Sequence, residues 1–259
     1  MQVGLVGKPA AGKSTFFKAL TLLDVKITGI PFCTIKPNVG VGFVSLDCVC
    51  EEFGVRCNPS SGKCVQGKRF VPVKLIDVAG LVPGAHLGKG LGNKFLDDLR
   101  KADVLIHIVD FSGLRDEEGK PTQNYDPEKD IKFLEEEIDF WFASLVEKAL
   151  EKIKVKKEEE LIDLLTQKLS GLQVERAQIE KALREVGLED VKKFATALRK
   201  NSKPMVIAAN KIDLEEAQQN FERLKGKYEL VPVSAEAEVT LKKAHEKILS
   251  NTFLETGSK

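Results

Sequence analysis

At 259 residues, with 42% hydrophobic and 31% charged composition, the chain has apolar content for one good-sized core or a core plus a small second domain, which excludes disorder as the default. With 40 Lys and Arg against 39 Asp and Glu the formal net charge is +1, so no global basic surplus argues for nucleic acid or a membrane surface, and partners have to be read locally. No apolar run approaches the roughly 20 residues of a membrane span, the start Met1-Gln2-Val3-Gly4 has neither a basic leader nor a signal-like stretch, and five cysteines are an odd count suited to a reducing compartment; a cytoplasmic protein without a membrane partner is expected.

In chain order, Val3, Leu5 and Val6 predict a short apolar strand, and residues 15–22, with Phe16, Phe17, Ala19 and Leu20 at helical spacing, predict a helix. Between them lies Gly7-Lys8-Pro9-Ala10-Ala11-Gly12-Lys13-Ser14, which fits the phosphate-binding template G-x-x-x-x-G-K-[ST] in the strand-to-helix context that template requires. Its glycines let backbone N–H groups close around phosphates, while the helix N-terminus and Lys13 bring positive charge to the oxygens. Residues Lys8, Pro9, Ala10, Ala11, Gly12, Lys13, Ser14 and Thr15 are therefore expected to hold a nucleotide triphosphate, with the Ser14 hydroxyl on a magnesium ion.

Residues 26–37 read as a loop carrying Thr28, Gly29, Pro31 and Thr34, followed by a strand over 39–44. Cys48, Cys50, Cys57 and Cys64 then fall in one short stretch that could form a four-thiolate zinc site. Their spacing C-x-C-x6-C-x6-C is not a usual paired-knuckle pattern, and on a strand Cys48 and Cys50 would share one face, so packing thiols are the stronger reading and zinc the alternative. A strand over 71–76 ends at Asp77, and Asp77-Val78-Ala79-Gly80 supplies a carboxylate suited to holding magnesium through water and a glycine whose N–H can meet a terminal phosphate. Behind it runs a region with Gly84, Gly88, Gly90 and Gly92, and His86 among them. Such a loop can order around a phosphate and release when it leaves.

Residues 104–109 are nearly continuously apolar, as in a strand buried on both faces, with His107 inside it. From 126 to 203 the pattern changes: Leu134, Ile138, Trp141, Leu145 and Ala149 form a helical stripe, further helices run to Gly171, Gly187 and Asn201, and charges alternate over 147–160. An inserted helical subdomain, a coiled-coil-like hairpin projecting from the rest, is expected there. A buried strand at 205–209 leads into Asn210-Lys211-Ile212-Asp213, and a last strand at 228–233 leads into Ser234-Ala235-Glu236. A carboxylate at Asp213 can accept two hydrogen bonds from the N1–H and exocyclic amine of guanine, which adenine cannot offer, while the backbone after the last strand supports the guanine oxygen. The alternation predicts an α/β fold with a mainly parallel sheet flanked by helices, its ligand at the strand C-terminal ends, divided as 1–125 and 204–259 for the nucleotide domain and 126–203 for the helical insertion.

The phosphate loop, Pro31-Phe32-Cys33-Thr34-Ile35-Lys36-Pro37-Asn38, the run from Asp77 through His86, Gly90-Leu91-Gly92-Asn93-Lys94-Phe95-Leu96 and Asn210-Lys211-Ile212-Asp213 together resemble the Obg-related P-loop GTPases, and within them the YchF subfamily in its archaeal-looking branch. The resemblance covers nearly the whole chain. It implies Thr34 as the switch threonine on magnesium and the γ-phosphate, a helical insertion that docks on ribosome or RNA, and His107 as a histidine used in hydrolysis. It leaves the base open, because many members look ATP-preferring, so GTP and GDP are expected from Asp213 rather than from the family. Related potassium-activated GTPases carry an asparagine where this chain has Ala10, which speaks against potassium. Such proteins usually continue into a small β-rich TGS domain, and nothing after Ser250 resembles one.

After Gly80, where many GTPases carry a glutamine that orients the attacking water, this chain has Leu81, which can neither donate nor accept a hydrogen bond. Slow hydrolysis is expected, resting on Lys13, magnesium and backbone donors, with His86 and His107 as candidates for the water. Each has a plain reading too: His86 as an exposed loop residue, His107 as a hydrogen-bonded core histidine. In the insertion, Lys152, Lys154, Lys156 and Lys157 form a small basic cluster suited to RNA, or else a solvated helical face, since Glu158, Glu159 and Glu160 follow at once. A GTP-hydrolysing molecular switch is the leading reading; an ATP-preferring relative and an adaptor that binds nucleotide with negligible hydrolysis are the alternatives, and the oligomeric state stays open.

Overall fold

A computed structural model describes residues 1–21, 39–78, 80, 84, 98–151 and 157–256, with side chains through His245. Its centre is one sheet: β1 (Gln2–Val6), β2 (Val39–Asp47), β3 (Lys63–Val65), β4 (Lys68–Asp77), β5 (Val104–Asp110), β6 (Met205–Asn210) and β7 (Leu230–Pro232), in the spatial order β2-β4-β1-β5-β6-β7. Neighbours from β4 through β7 pair in parallel, whereas β2 and β3 both run antiparallel to β4. The α/β architecture is as the alternation of apolar runs requires. The strand ends differ: β2 and β4 are longer than their apolar cores, and the three-residue β3 is too short and too polar to leave a periodic signal.

Alternate residues sort onto the two faces of the sheet. Val3, Leu5, Val73, Leu75 and Ile108 pack with Phe17 and Ala11 under α1 (Lys13–Thr21). Val6, Ile76 and Leu105 point the other way, into a large apolar cluster shared with the helices α2 (Pro127–Leu150), α3 (Glu158–Leu169), α4 (Arg176–Val186) and α5 (Val191–Ser202). Helices α6 (Glu215–Leu224) and α7 (Ala235–Thr256) follow β6 and β7, and Lys242 of α7 donates to the carbonyl of Ala19 in α1 at 2.6 Å.

Of the helices between β5 and β6, α2 packs on β5 of the sheet, while α3, α4 and α5 pack on α2 and on one another as a helical layer. The cause is the width of the α2 stripe: Leu134, Ile138, Trp141, Phe142 and Val146 are all buried, and their cluster contains the strand residues Val6, Ile76 and Leu105. Two polar ties fix the layer. Arg199 and Thr196 of α5 both bond Asp139 of α2, at 2.7 and 2.9 Å. At the start of α2, the N-cap Asp126 accepts from Arg223 of α6 at 2.7 Å, and Glu128 accepts from Tyr228 at 3.0 Å. Among the described residues no helix is long and apolar enough to cross a membrane.

The far end of β2 and β4 behaves differently. Residues 43–72 contain no buried side chain. Because β2 ends at Asp47, Cys48 and Cys50 lie in a turn instead of on one strand face, and the expectation that they pack as apolar thiols fails for want of a core to pack in.

Candidate functional site

The phosphate loop joins β1 to α1 at the C-terminal edge of the sheet. Its glycines are dictated by contact: a Cβ on Gly12 (φ +99°) would come within 2.3 Å of the Asn210 amide, and one on Gly7 (φ +150°) within 2.4 Å of the Ile108 carbonyl. Lys13 is buried over this loop, donating to the carbonyls of Lys8 at 2.8 Å and Gly7 at 3.0 Å. Burial lowers its pKa to about 8 against the opposing charge of Asp77, so the ammonium is under-solvated and primed for an anion. Gly80 sits close by, its missing Cβ pointing at Lys13 Nζ and the Pro9 nitrogen, each 3.3 Å away. Ser14 Oγ donates to Asp77 Oδ2 at 3.3 Å; burial raises the Asp77 pKa, opposed by Lys13 and by that hydrogen bond. A hydroxyl and a carboxylate converging beside Lys13 are the hard oxygen donors that magnesium prefers.

Asn210 ends β6 and acts as a brace. Its amide donates to the Ala11 carbonyl at 2.9 Å and its oxygen accepts from the Ala235 N–H at 3.1 Å, tying the phosphate loop to the start of α7. Lys211, at φ +66°, reaches back to Asp110 at 2.5 Å. Asp213 accepts from Ser234 Oγ at 2.5 Å, which fixes its carboxylate at the rim. Gly12, Thr15, Asn210, Lys211, Asp213, Leu214, Ser234, Ala235 and Glu236 thereby line one cavity of about 250 Å³. Every base-side residue expected from the sequence borders it.

The Lys8 side chain is buried and pairs with Asp130 of α2 at 2.8 Å while donating to the Arg115 carbonyl at 2.7 Å. Its ammonium also stands 4.2 Å from the centre of the Tyr125 ring, whose hydroxyl bonds Asp130 at 3.0 Å. The loop is therefore clamped to the helical layer through the Lys8 side chain. His107 is fully buried in β5, opposite Val6 in register and beneath Gly7, with its Cδ2 3.7 Å from the point a Gly7 Cβ would occupy. Burial, then the Lys13 charge, pulls its pKa down to about 3, so the ring is neutral. Thr34, His86, Lys152, Lys154 and Lys156 lie outside the described residues; Lys157 precedes α3 as its N-cap.

Three participants were missed by motif reading. Asp110, wholly buried, receives Lys211 and also the Ser112 N–H and hydroxyl at 3.0 and 2.5 Å. The signal available was a carboxylate ending a buried strand directly opposite Asn210 in the β5–β6 register. Asp130 is the second. Glu137 is the third: it accepts from the Gly84 N–H at 2.6 Å, tying that residue to α2.

A family profile described as a 50S ribosome-binding GTPase matches residues 2–144, and one described as the G4 motif-containing domain of YGR210-like, Obg-like GTPases matches residues 208–250. A GTP-binding protein of Methanocaldococcus jannaschii is 48% identical over 256 residues, covering 94% of this chain and 65% of its own length. The ribosome-binding ATPase YchF of Mycoplasma pneumoniae is 34% identical over 220 residues, covering 81% of this chain and 56% of its own. The crystal structure of a GTP binding protein from Pyrococcus horikoshii superposes with a TM-score of 0.76 at 38% identity, over 94% of this chain and 67% of that one. The chain thus spans less than two thirds of the length of these curated relatives.

Proposed function

The chain belongs to the YchF-type, Obg-related P-loop GTPases, and from that premise we propose that it hydrolyses GTP to GDP and phosphate with magnesium, as a molecular switch linked to the ribosome. One observation carries the choice of base: Asp213 is held by Ser234 at the mouth of the cavity that Asn210 bolts to the phosphate loop. A carboxylate so placed accepts from the two N–H groups on the guanine edge and meets only acceptors and a carbon on adenine.

In this reading Lys13 neutralises phosphate charge, the N–H of Gly80 meets the terminal phosphate, and Ser14, Asp77 and Thr34 hold the magnesium, directly or through water. The metal supplies charge neutralisation at the phosphate oxygens when bound. Leu81 gives the attacking water no partner, and a buried neutral His107 under Gly7 is a positioning residue for the loop, so His86 is the histidine left to approach the phosphate. Slow hydrolysis without a partner follows. Single-turnover hydrolysis with His86→Ala and His107→Ala decides this: unchanged rates in both remove histidine from the reaction.

The relatives named ATPase favour a second reading, an adenine-using enzyme. A competition titration of GTP against ATP separates the two. In Asp213→Asn the carboxylate acceptor becomes an amide donor, so GTP affinity is expected to fall about 100-fold or more while xanthosine triphosphate, with a carbonyl where guanine has its amine, gains. Equal loss of both, or a wild-type preference for ATP, overturns the guanine assignment. The ribosome link rests on the names of relatives; co-sedimentation unchanged when Lys152, Lys154, Lys156 and Lys157 are all replaced by Glu removes that cluster as the contact.

A further inference from the structure

The four cysteines near the sheet's far end meet in space. Their Sγ atoms all lie within 4.8 Å of one another, with Cys48 to Cys57 at 3.7 Å and Cys50 to Cys64 at 3.6 Å. These separations are far beyond a disulfide's roughly 2.05 Å. They match a tetrahedron: four thiolates bonded at about 2.3 Å to a central ion stand about 3.8 Å apart. Reaching that arrangement takes three separate pieces of chain, namely the turn after β2 for Cys48 and Cys50, the following loop for Cys57, and β3 for Cys64.

The setting supplies the reason. Between Phe43 and Pro72 the chain buries no side chain, and Leu46, Val49, Phe53, Val55 and Val65 are exposed, Phe53 at 74%. A unit without an apolar core cannot offset the entropy of ordering its backbone by hydrophobic burial, and small coreless units are held by metals or disulfides. Here the thiol cluster lies where a core would be. The backbone is folded around it: the Cys48 N–H donates to the Gly67 carbonyl at 2.7 Å and Val55 N–H to the Cys50 carbonyl at 3.1 Å. Four thiolates on a divalent ion carry excess negative charge, and Arg69 Nη1 stands 3.8 Å from Cys57 Sγ as the cationic partner such a site calls for.

We propose that Cys48, Cys50, Cys57 and Cys64 form a structural zinc site that holds the β2–β3–β4 tip together. Four sulfur ligands in a closed tetrahedron select zinc among the abundant divalent ions and leave no open position for catalysis. The site is independent of the nucleotide reading, because β4 carries it about 30 Å from Asp77 at the extended rise of about 3.3 Å per residue.

The test uses the purified chain, reduced, loaded with zinc chloride and desalted. Elemental analysis should find about one zinc per chain; cobalt(II) in its place should give the intense visible bands of a tetrahedral thiolate complex. The fourfold Cys→Ser variant should hold no zinc yet bind GTP with affinity unchanged within about twofold, which shows that it has folded. Arg69→Ala should weaken zinc about tenfold in a chelator competition. A zinc-free chain after loading, iron found in place of zinc, two disulfides pairing these cysteines in non-reducing peptide maps, or zinc retained by the fourfold variant each overturns the assignment.

Discussion

The two ends of β4 are held by opposite means. At its C-terminal end Asp77 faces Ser14, and the loops around it are locked by groups from α1, β5, β6 and α7, most of them buried. At its start Lys68 and Arg69 belong to a tip whose side chains all reach solvent and whose strands are joined by backbone bonds, the exposed Lys68–Asp47 ion pair, Arg69 on the Ser61 carbonyl and four clustered thiols. A polar ligand site can be rigid only if its charged parts are satisfied before the ligand arrives, which demands burial and many partners. A tip without a core needs one strong centre instead, and a metal is that kind of centre.

The largest effect should come from the clamp that gives the nucleotide end its rigidity. Replacing Asp130 by Ala leaves the Lys8 ammonium buried without its counter-charge, and a loss of about 3–5 kcal/mol in urea unfolding is expected. The double change Lys8→Met with Asp130→Leu removes both charges and should recover most of that loss. If the single variant costs under about 1 kcal/mol, the loop is not clamped through this pair.

A smaller effect tests the burial of His107. Its pKa is about 3 in the folded chain against an ordinary 6.5. Below pH 6.5 the unfolded chain takes up a proton that the folded one refuses, so this residue's contribution falls by about 1.4 kcal/mol for each pH unit descended until the folded pKa is reached. Asp130 works in the other direction, because burial lifts its pKa to about 6 and the folded state binds that proton first. The measurement is therefore a difference: the stability of the wild type minus that of His107→Leu should drop by about 2 kcal/mol from pH 7 to pH 5. A difference that stays level with pH would show the histidine to be solvated or charged in the fold.

The nucleotide end was largely legible in the sequence and the tip was not. Gly7 through Ser14, Asp77 and Asn210 through Asp213 could be read because each chemistry-bearing run follows an apolar strand, and parallel topology then brings the strand ends together. The motif places Lys8 in the loop but cannot show its clamp, because its partner Asp130 lies on a helix far along the chain and nothing local connects them. The same holds for α2, whose apolar stripe announces a buried face without naming the sheet as what covers it. For the cysteines, the end of β2 was not visible: a strand continued through residue 50 would put two thiols on a common face, whereas β2 stops at Asp47 and leaves both in the turn after it.

The smallest expected effect is the sharpest on the contrast between the ends. Hydrogen exchange in the zinc-loaded chain and after chelation should differ only at the tip, with amides such as Cys48 and Val55, bonded to Gly67 and Cys50, losing protection while those of β1 and β6 keep it. Nothing in the tip contributes to the core clusters beneath the phosphate loop, whose β4 members begin at Val73, so the loss should stop there. Protection lost equally across β1 and β6 would mean that the tip and the nucleotide end unfold as one unit, and that the thiol cluster supports the whole sheet.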